Sequence, residues 1–365
     1  MKAQAPVERV DARAFTIPTD KPEADGTIDW DSTTLVLVEV HGGGKVGLGY
    51  TYSAGSIVPL IRRDLSRAIE GLDALDPQRA WAAMQRQVRN LGREGLAATA
   101  ISAVDAALYD LKARLLNLPL AALLGSYRDA IPVYGSGGFT SYSNSELEEQ
   151  LATWACSDGC AFVKMKIGSH PAEDPERVKC AKRAIGKAQL FVDANGAYTV
   201  REALYLADIF ADQDVHWFEE PVSSDNLSGL AAIRRRIPAG IDIAAGEYAY
   251  TIGYVRRMLE ASAVDVQQAD VTRCGGVTAF LKIAALCEAF HIDLSGHCAP
   301  ALHLHVACAS PRLRHLEWFH DHVRIEQMLF EGAPVLENGA IHPNLSEPGH
   351  GLRFRAQDAE RYAAD

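Results

Sequence analysis

The sequence predicts an α/β fold: a (β/α)7β barrel of the TIM type, capped by an α+β domain built from the N-terminal region and the C-terminal tail. Two observations carry this expectation. Six polar residues stand at the ends of six short apolar runs: Asp193 in LFVDAN, Glu219 in HWFEEP, Glu247 in IAAGE, Asp270 in VDVQQAD, His297 in DLSGH and Glu317 in HLEWF. They are paced 26, 28, 23, 27 and 20 residues apart, and the pacing reaches back to Lys164 and Lys166 in FVKMKI. One βα unit consumes about that much chain, since roughly 250 residues make eight. Seven successive strands then each end on a charged or titratable group, at the end of the barrel where active sites are built.

The elements follow in order. Residues 1–126 read as the cap. Within them, 34–52 alternate around a Gly-rich turn, a hairpin signal, and 56–125 are Ala-rich and periodic, hence helical. The HGGG at 41–44 belongs to that turn, because no GxSxG elbow accompanies it. IPVYGSGGF (131–139) opens the barrel (127–325), with Ser136 near its mouth. SELEEQLATWACSD, EDPERVKCAKRAIG and GGVTAFLKIAALCEAF read as barrel helices, and Cys156 and Cys160, the two closest cysteines, are placed on a helix. Residues 326–365 are punctuated by Gly and Pro and are expected to return to the cap.

Composition sets bounds. The 365 residues are 48% hydrophobic with 29 Gly, enough for a barrel and a second domain. A net charge of −11 with no basic stripe argues against nucleic acid. No apolar run approaches the roughly 18 residues of a membrane span. The N-terminus has no apolar segment of signal-peptide type. Seven scattered Cys without a CxxC read as free thiols, so a cytoplasmic location is expected.

The residue types define the chemistry. Asp193, Glu219 and Glu247 on three adjacent strands would repel one another, and a hard divalent cation, Mg²⁺, resolves this. Lys164 and Lys166 lie two apart, so both face one side of their strand. Asp270 beside His297 fixes the imidazole tautomer and raises its pKa. A metal flanked by a lysine and a His–Asp pair suits removal of the weakly acidic proton beside a carboxylate.

Two long segments carry a family resemblance. ATAISAVDAALYDLKARLLNLPLAALLG (98–125) resembles a cap-domain signature, and LFVDANGAYTVREALYLADIFADQDVHWFEEP (190–221) a metal-ligand signature, of the enolase superfamily in its mandelate racemase subgroup. The resemblance spans essentially the whole chain. It implies Asp193, Glu219 and Glu247 as Mg²⁺ ligands, Lys166 as one acid/base with Lys164 polarising the substrate carboxylate, His297 with Asp270 as the other, and Glu317 as a hydrogen-bonding electrophile. Asn195, Glu220 and Arg273 are expected beside these groups, and Ser136 and Trp30 are candidates for substrate contact. His320 and His322 are weighed as pocket edges, whereas His303 and His305 are read as structural.

The implied reaction is Mg²⁺-dependent α-proton abstraction through an enediolate, most simply dehydration of an acid sugar to a 2-keto-3-deoxy acid. Racemisation or epimerisation of a 2-hydroxy acid, or cycloisomerisation of a sugar lactone, uses the same residues. An inactive metal-binding scaffold is the remote alternative. The expected partners are a small-molecule carboxylate and further copies of the chain, as a dimer or a multiple of it. Specificity is expected from a cap loop, Ile17 to Asp31, whose one cation is Lys21 among Asp20, Glu23, Asp25, Asp29 and Asp31. That balance favours a monocarboxylic acid sugar.

Overall fold

Residues 4–364 are described by a computed structural model. The cap begins with an antiparallel sheet of β1 (Val7–Ala24), β2 (Asp29–Gly42) and β3 (Lys45–Tyr52). Five helices follow: α1 (Ile57–Leu60), α2 (Ser66–Ile69), α3 (Pro77–Gln87), α4 (Leu96–Leu116) and α5 (Leu120–Leu124), with a π-helical turn at Ile61–Leu65 between the first two. α4 is Ala-rich and buried along most of its length, because it packs between the sheet and the barrel. β3 meets it through Gly47 and Gly49, where an added Cβ would fall 2.2 Å from Ala107 O and 2.3 Å from Ala103 O. The helix backbone therefore rests directly on the strand. Asn117 in the left-handed region ends α4.

The barrel alternates strands and helices: β4 (Ile131–Gly137), α6 (Asn144–Ala152), β5 (Phe162–Lys166), α7 (Asp174–Ala184), β6 (Gln189–Asp193), α8 (Val200–Asp212), β7 (Val215–Glu219) and α9 (Leu227–Arg234). It continues through β8 (Asp242–Ala245), α10 (Ile252–Glu260), β9 (Val266–Ala269), α11 (Gly276–Phe290), β10 (Asp293–Gly296), α12 (Pro300–Cys308), β11 (Leu313–Phe319) and α13 (His320–Leu329). All eight strands are parallel, and β11 closes onto β4 with Leu316 opposite Val133 and Phe319 opposite Ser136. Ser143 and Thr199 start α6 and α8 with capping boxes to Glu146 and Glu202. Tyr134, Phe191 and Trp217 fill the barrel interior, the last two stacked at 5.0 Å. The lumen is thus a packed core, which leaves the C-terminal rim for a site.

The tail carries β12 (Phe330–Glu331), β13 (Ala340–Ile341), β14 (Arg353–Phe354), α14 (Ala356–Ala359) and β15 (Ala363–Ala364). β15 pairs with β1 of the cap, Ala14 opposite Ala364.

Two expectations need correction. The segment Ile17 to Asp31 is not an irregular loop. β1 and β2 pair out to Ala24 opposite Asp29, with a register shift between Pro18 and Glu23. Pro18 and Pro22 fall at that shift, which accommodates them. Asp25 Oδ1 holds the turn by accepting from Thr27 N at 2.6 Å and Ile28 N at 2.9 Å. The tip is seated on the barrel: Thr140 N donates to Ala24 O at 2.9 Å, and Ser169 Oγ to Asp25 O at 2.6 Å. Gly26 is required there, since a Cβ would meet Ala194 O at 2.5 Å and Ile167 O at 2.6 Å. The two nearest cysteines also part: Cys156 lies in a π-helical turn at Thr153–Ser157, whereas Cys160 lies in the connection before β5.

Candidate active site

Every barrel strand delivers a polar side chain to the C-terminal rim. Lys164 and Lys166 from β5 both reach Asp193 Oδ2 on β6, at 3.2 and 2.6 Å. Lys164 also lies 2.5 Å from Glu219 Oε1 on β7 and 2.8 Å from Glu317 Oε1 on β11. Ser136 on β4 donates to Glu317 Oε1 at 2.6 Å, and Trp217 donates to Glu219 Oε2 at 2.9 Å. Glu247 follows β8. Asp270 and His297 follow the adjacent strands β9 and β10, joined by Nδ1–Oδ2 at 2.8 Å. Asp270 Oδ1 accepts from Thr272 N and Oγ1, both at 2.7 Å. A fully bonded carboxylate thus holds the ring and leaves His297 Nε2 pointing away from it.

The site is buried and strongly acidic. Asp193, Glu219, Glu220, Glu247, Asp270 and Glu317 are all buried, facing the cations Lys164, Lys166 and Arg273. Arg273 sits 3.5 Å from Glu247 and 3.7 Å from Asp270. Burial, then the neighbouring charge of Asp193, pushes Glu219 up to about 8. Burial and Glu247 raise Glu220 as well. Burial opposes ionisation of Glu247, but His297 and Lys166 outweigh it and its pKa falls. Burial would lower the pKa of His297; facing Cys298, Glu247 and Glu317, it is raised instead. For Lys166, burial lowers and Asp193 raises, and Asp193 prevails.

The carboxylates fit a cation. Asp193, Glu219 and Glu247 each offer an oxygen within 4.8 Å of the others. Glu247 Oε2 and Glu220 Oε1 accept no hydrogen bond among the described residues. An all-oxygen set with unsatisfied buried acceptors suits a hard divalent ion.

Above this floor lies a cavity of about 330 Å³, closed on its other side by the cap. Lys166, Asn195, Glu247, His297 and Glu317 line it from the barrel, and Trp30, Thr34, Tyr52 and Ser53 from the cap. Trp30 does two things: it faces the cavity and anchors the hairpin, donating to Glu23 Oε2 at 2.8 Å and meeting Phe139 edge-on at 5.6 Å. Asn195 donates its N–H to Asp193 Oδ1 at 2.9 Å, while its side-chain oxygen has no partner among the described residues. Ser136 and Lys164 are fully buried beneath the cavity, bonded to Glu317, rather than in its wall.

Among the other histidines, His322 lines the cavity and stacks on Tyr52 at 3.5 Å. His320 pairs with Asp20 of the hairpin at 3.0 Å. His303 accepts from Val271 N at 2.8 Å, and His305 is bonded to His350 O at 3.1 Å, both inside the fold. Sequence reasoning missed Cys298, Tyr52, Ser53 and Tyr248. Cys298 directly follows His297, and that adjacency was its one available signal. Tyr248 directly follows Glu247 in the same way, whereas Tyr52 and Ser53 reach the cavity only because the cap docks.

Residues 16–125 match the Mandelate racemase / muconate lactonizing enzyme N-terminal domain, and residues 146–359 match the family described as Enolase C-terminal domain-like. The chain belongs to the mandelate racemase / muconate lactonizing enzyme family of the enolase superfamily. It is 32% identical over 95% of its length to 96% of a 3,6-anhydro-α-L-galactonate cycloisomerase from Streptomyces coelicolor. It is 31% identical over 90% of its length to 81% of an L-talarate/galactarate dehydratase from Salmonella typhimurium. A mandelate racemase/muconate lactonizing enzyme-like protein from Rubrobacter xylanophilus superposes with a TM-score of 0.96 at 51% identity, over 98% of this chain and all of that one. A racemase from Streptomyces coelicolor solved with bound magnesium gives 0.92 at 31% identity, over 98% and 100%.

Proposed function

We propose that this protein is a Mg²⁺-dependent acid-sugar dehydratase, which removes the proton beside a carboxylate and expels the neighbouring hydroxyl. The observation that carries this reading is the placement of two proton carriers, Lys166 from β5 and His297 from β10, around one cavity with Glu247 in its wall. Asp193, Glu219 and Glu247 are the residues that would hold Mg²⁺. When bound, the ion supplies positive charge against the enediolate that forms on the substrate.

The chain's own groups supply the rest. Lys166 takes the α-proton. Were the charges of Asp193, Glu219 and Glu247 taken up by a divalent ion, burial and the neighbouring Lys164 would lower the lysine pKa toward that of a usable base. Glu317 stands in the wall at the substrate carboxylate, and Lys164, buried beneath it at 2.8 Å, adds positive charge from below. His297, held by Asp270, delivers a proton to the departing β-hydroxyl. Arg273 holds Glu247 and Asp270 in register, and the seated hairpin excludes water.

Thr34, Tyr52 and Ser53 line the cap side, with their hydroxyls bonded to Thr16, His322 O and Thr99, and among the described residues the cap gives the cavity wall no cation. A monocarboxylic polyol acid matches that wall. Exposed Ile28 at the hairpin tip, beside the cavity, supports a homo-oligomer in which a neighbouring copy covers it. The free cysteines support a cytoplasmic location.

The full-length similarity to a cycloisomerase favours a second reading, lactone cycloisomerisation by the same proton carriers. Proton NMR in D₂O with Mg²⁺, against single stereoisomers of acid sugars and their lactones, separates the two. Loss of the α-proton with a 2-keto-3-deoxy product is the expected result. Ring opening without loss of hydroxyl would replace it with the second reading.

A further inference from the structure

His297 Nε2, Cys298 Sγ and Glu317 Oε2 form a triangle in the cavity wall, with edges of 3.3 Å (N–S), 3.4 Å (S–O) and 3.7 Å (N–O). Tetrahedral zinc bonds sulfur at about 2.3 Å and nitrogen or oxygen at about 2.0 Å, which gives ligand–ligand edges of roughly 3.3–3.6 Å. The N–S and S–O edges match those of a zinc tetrahedron and the N–O edge is wider, so Glu317 has a few tenths of an ångström to close; all three residues line the cavity, where a fourth ligand can reach.

The surroundings complete a metal site. Asp270 holds His297 Nδ1 at 2.8 Å, the carboxylate–histidine pairing that orients a ligating imidazole. Ser136 and Lys164 fix the other oxygen of Glu317 at 2.6 and 2.8 Å. The Cys298 N–H donates to Glu317 Oε2 at 3.0 Å, so the backbone that carries the thiol is tied to the carboxylate on β11. Cys298 sits at φ 52°, a conformation that turns the chain sharply just after the strand.

We propose that His297, Cys298 and Glu317 constitute an inhibitory zinc site, adjoining the all-oxygen set of Asp193, Glu219 and Glu247, whose Glu247 Oε2 stands 3.4 Å from His297 Nε2. A mixed nitrogen–sulfur–oxygen set selects a borderline-soft ion, whereas three carboxylates select a hard one. Binding replaces the Cys298 S–H bond with a sulfur–zinc bond, and the proton leaves to solvent. Zinc there occupies the proton-delivering nitrogen and the carboxylate-binding oxygen together, so it competes with substrate.

Cobalt is the probe, added anaerobically to protein saturated with Mg²⁺. Wild type is expected to develop a thiolate-to-cobalt charge-transfer band at one equivalent, which Zn²⁺ then removes. The band disappears in Cys298→Ser, survives in Cys156→Ser, and is weakened in His297→Asn, with zinc affinity falling roughly 100-fold or more in the first. Should Cys298→Ser fail to fold, the His297→Asn spectrum serves alone. No band in wild type, or an unchanged band in folded Cys298→Ser or His297→Asn, overturns the site. This readout needs no turnover, so it is independent of the dehydratase reading. Zinc that binds here yet leaves turnover unchanged at saturating Mg²⁺ overturns the inhibition.

Discussion

His297 and Lys166 divide the chemistry between two sides of one cavity. His297 is tied at Nδ1 to an Asp270 that is already bonded twice by Thr272, so its free nitrogen has one direction to face. Replacing it as His297→Asn removes proton delivery but leaves Lys166 in place. Dehydration should then fall by roughly 10²–10⁴-fold, while exchange of the substrate α-proton with D₂O continues. Parallel NMR measurement of the two rates checks this, and full dehydration in the variant would remove His297 from the role. These residues were legible because each ends a strand at barrel pacing, and pacing survives in sequence. Ser136 was legible as a strand-end residue, but its bond to Glu317 was not, since that needs β11 to close on β4.

The cap and barrel are locked by element-to-element contacts. Tyr50 on β3 donates to Glu326 on α13 at 2.5 Å, and Thr51 beside it donates to Thr272 O at 2.7 Å. Glu326 is fully buried, and burial pushes it up to about 8 despite bonds from Tyr50 and Ala301 N. A carboxyl of the unfolded chain titrates near 4.3. Below that pH both states hold the proton and the seam is at full strength. Between about 4.3 and 8 the folded state holds a proton the unfolded state has lost, so stability falls as pH rises. Glu326→Gln removes this slope. Relative to wild type the variant should gain stability with pH, by about 1–3 kcal/mol at pH 8. Urea unfolding of both proteins at pH 5 to 8.5 measures the difference, and a constant difference would refute the buried-carboxyl account. None of this seam was legible, because Tyr50 and Glu326 are 276 residues apart. The β2–β3 hairpin was legible from its Gly-rich turn, but the continuation of β1 and β2 past Pro18 was hidden by local loop chemistry.

At the scale of the molecule, folding gathers six carboxylates around three permanent cations in one buried region. That excess must be offset, and a cation that binds only the folded state stabilises it by mass action. Mg²⁺ at 100 times its Kd should add about 2.7 kcal/mol, read as a rise in melting temperature. Asp193→Asn should lose most of that rise and lose activity, and EDTA should reverse both effects in wild type. A melting temperature indifferent to Mg²⁺ would count against the assigned ligand set. The barrel order was legible because each βα unit is local in sequence. The cavity was not, since half its wall comes from a cap whose docking has no sequence period.

The most direct test is Mg²⁺-dependent incorporation of deuterium at the substrate α-carbon, comparing wild type with Lys166→Ala on the best acid sugar from the NMR panel. Rapid exchange or elimination in wild type that vanishes with EDTA, and that falls by roughly 10²–10⁴-fold in Lys166→Ala, is the predicted result. Turnover at an undiminished rate in Lys166→Ala, or turnover that keeps the α-proton, would contradict proton abstraction by Lys166 at this site.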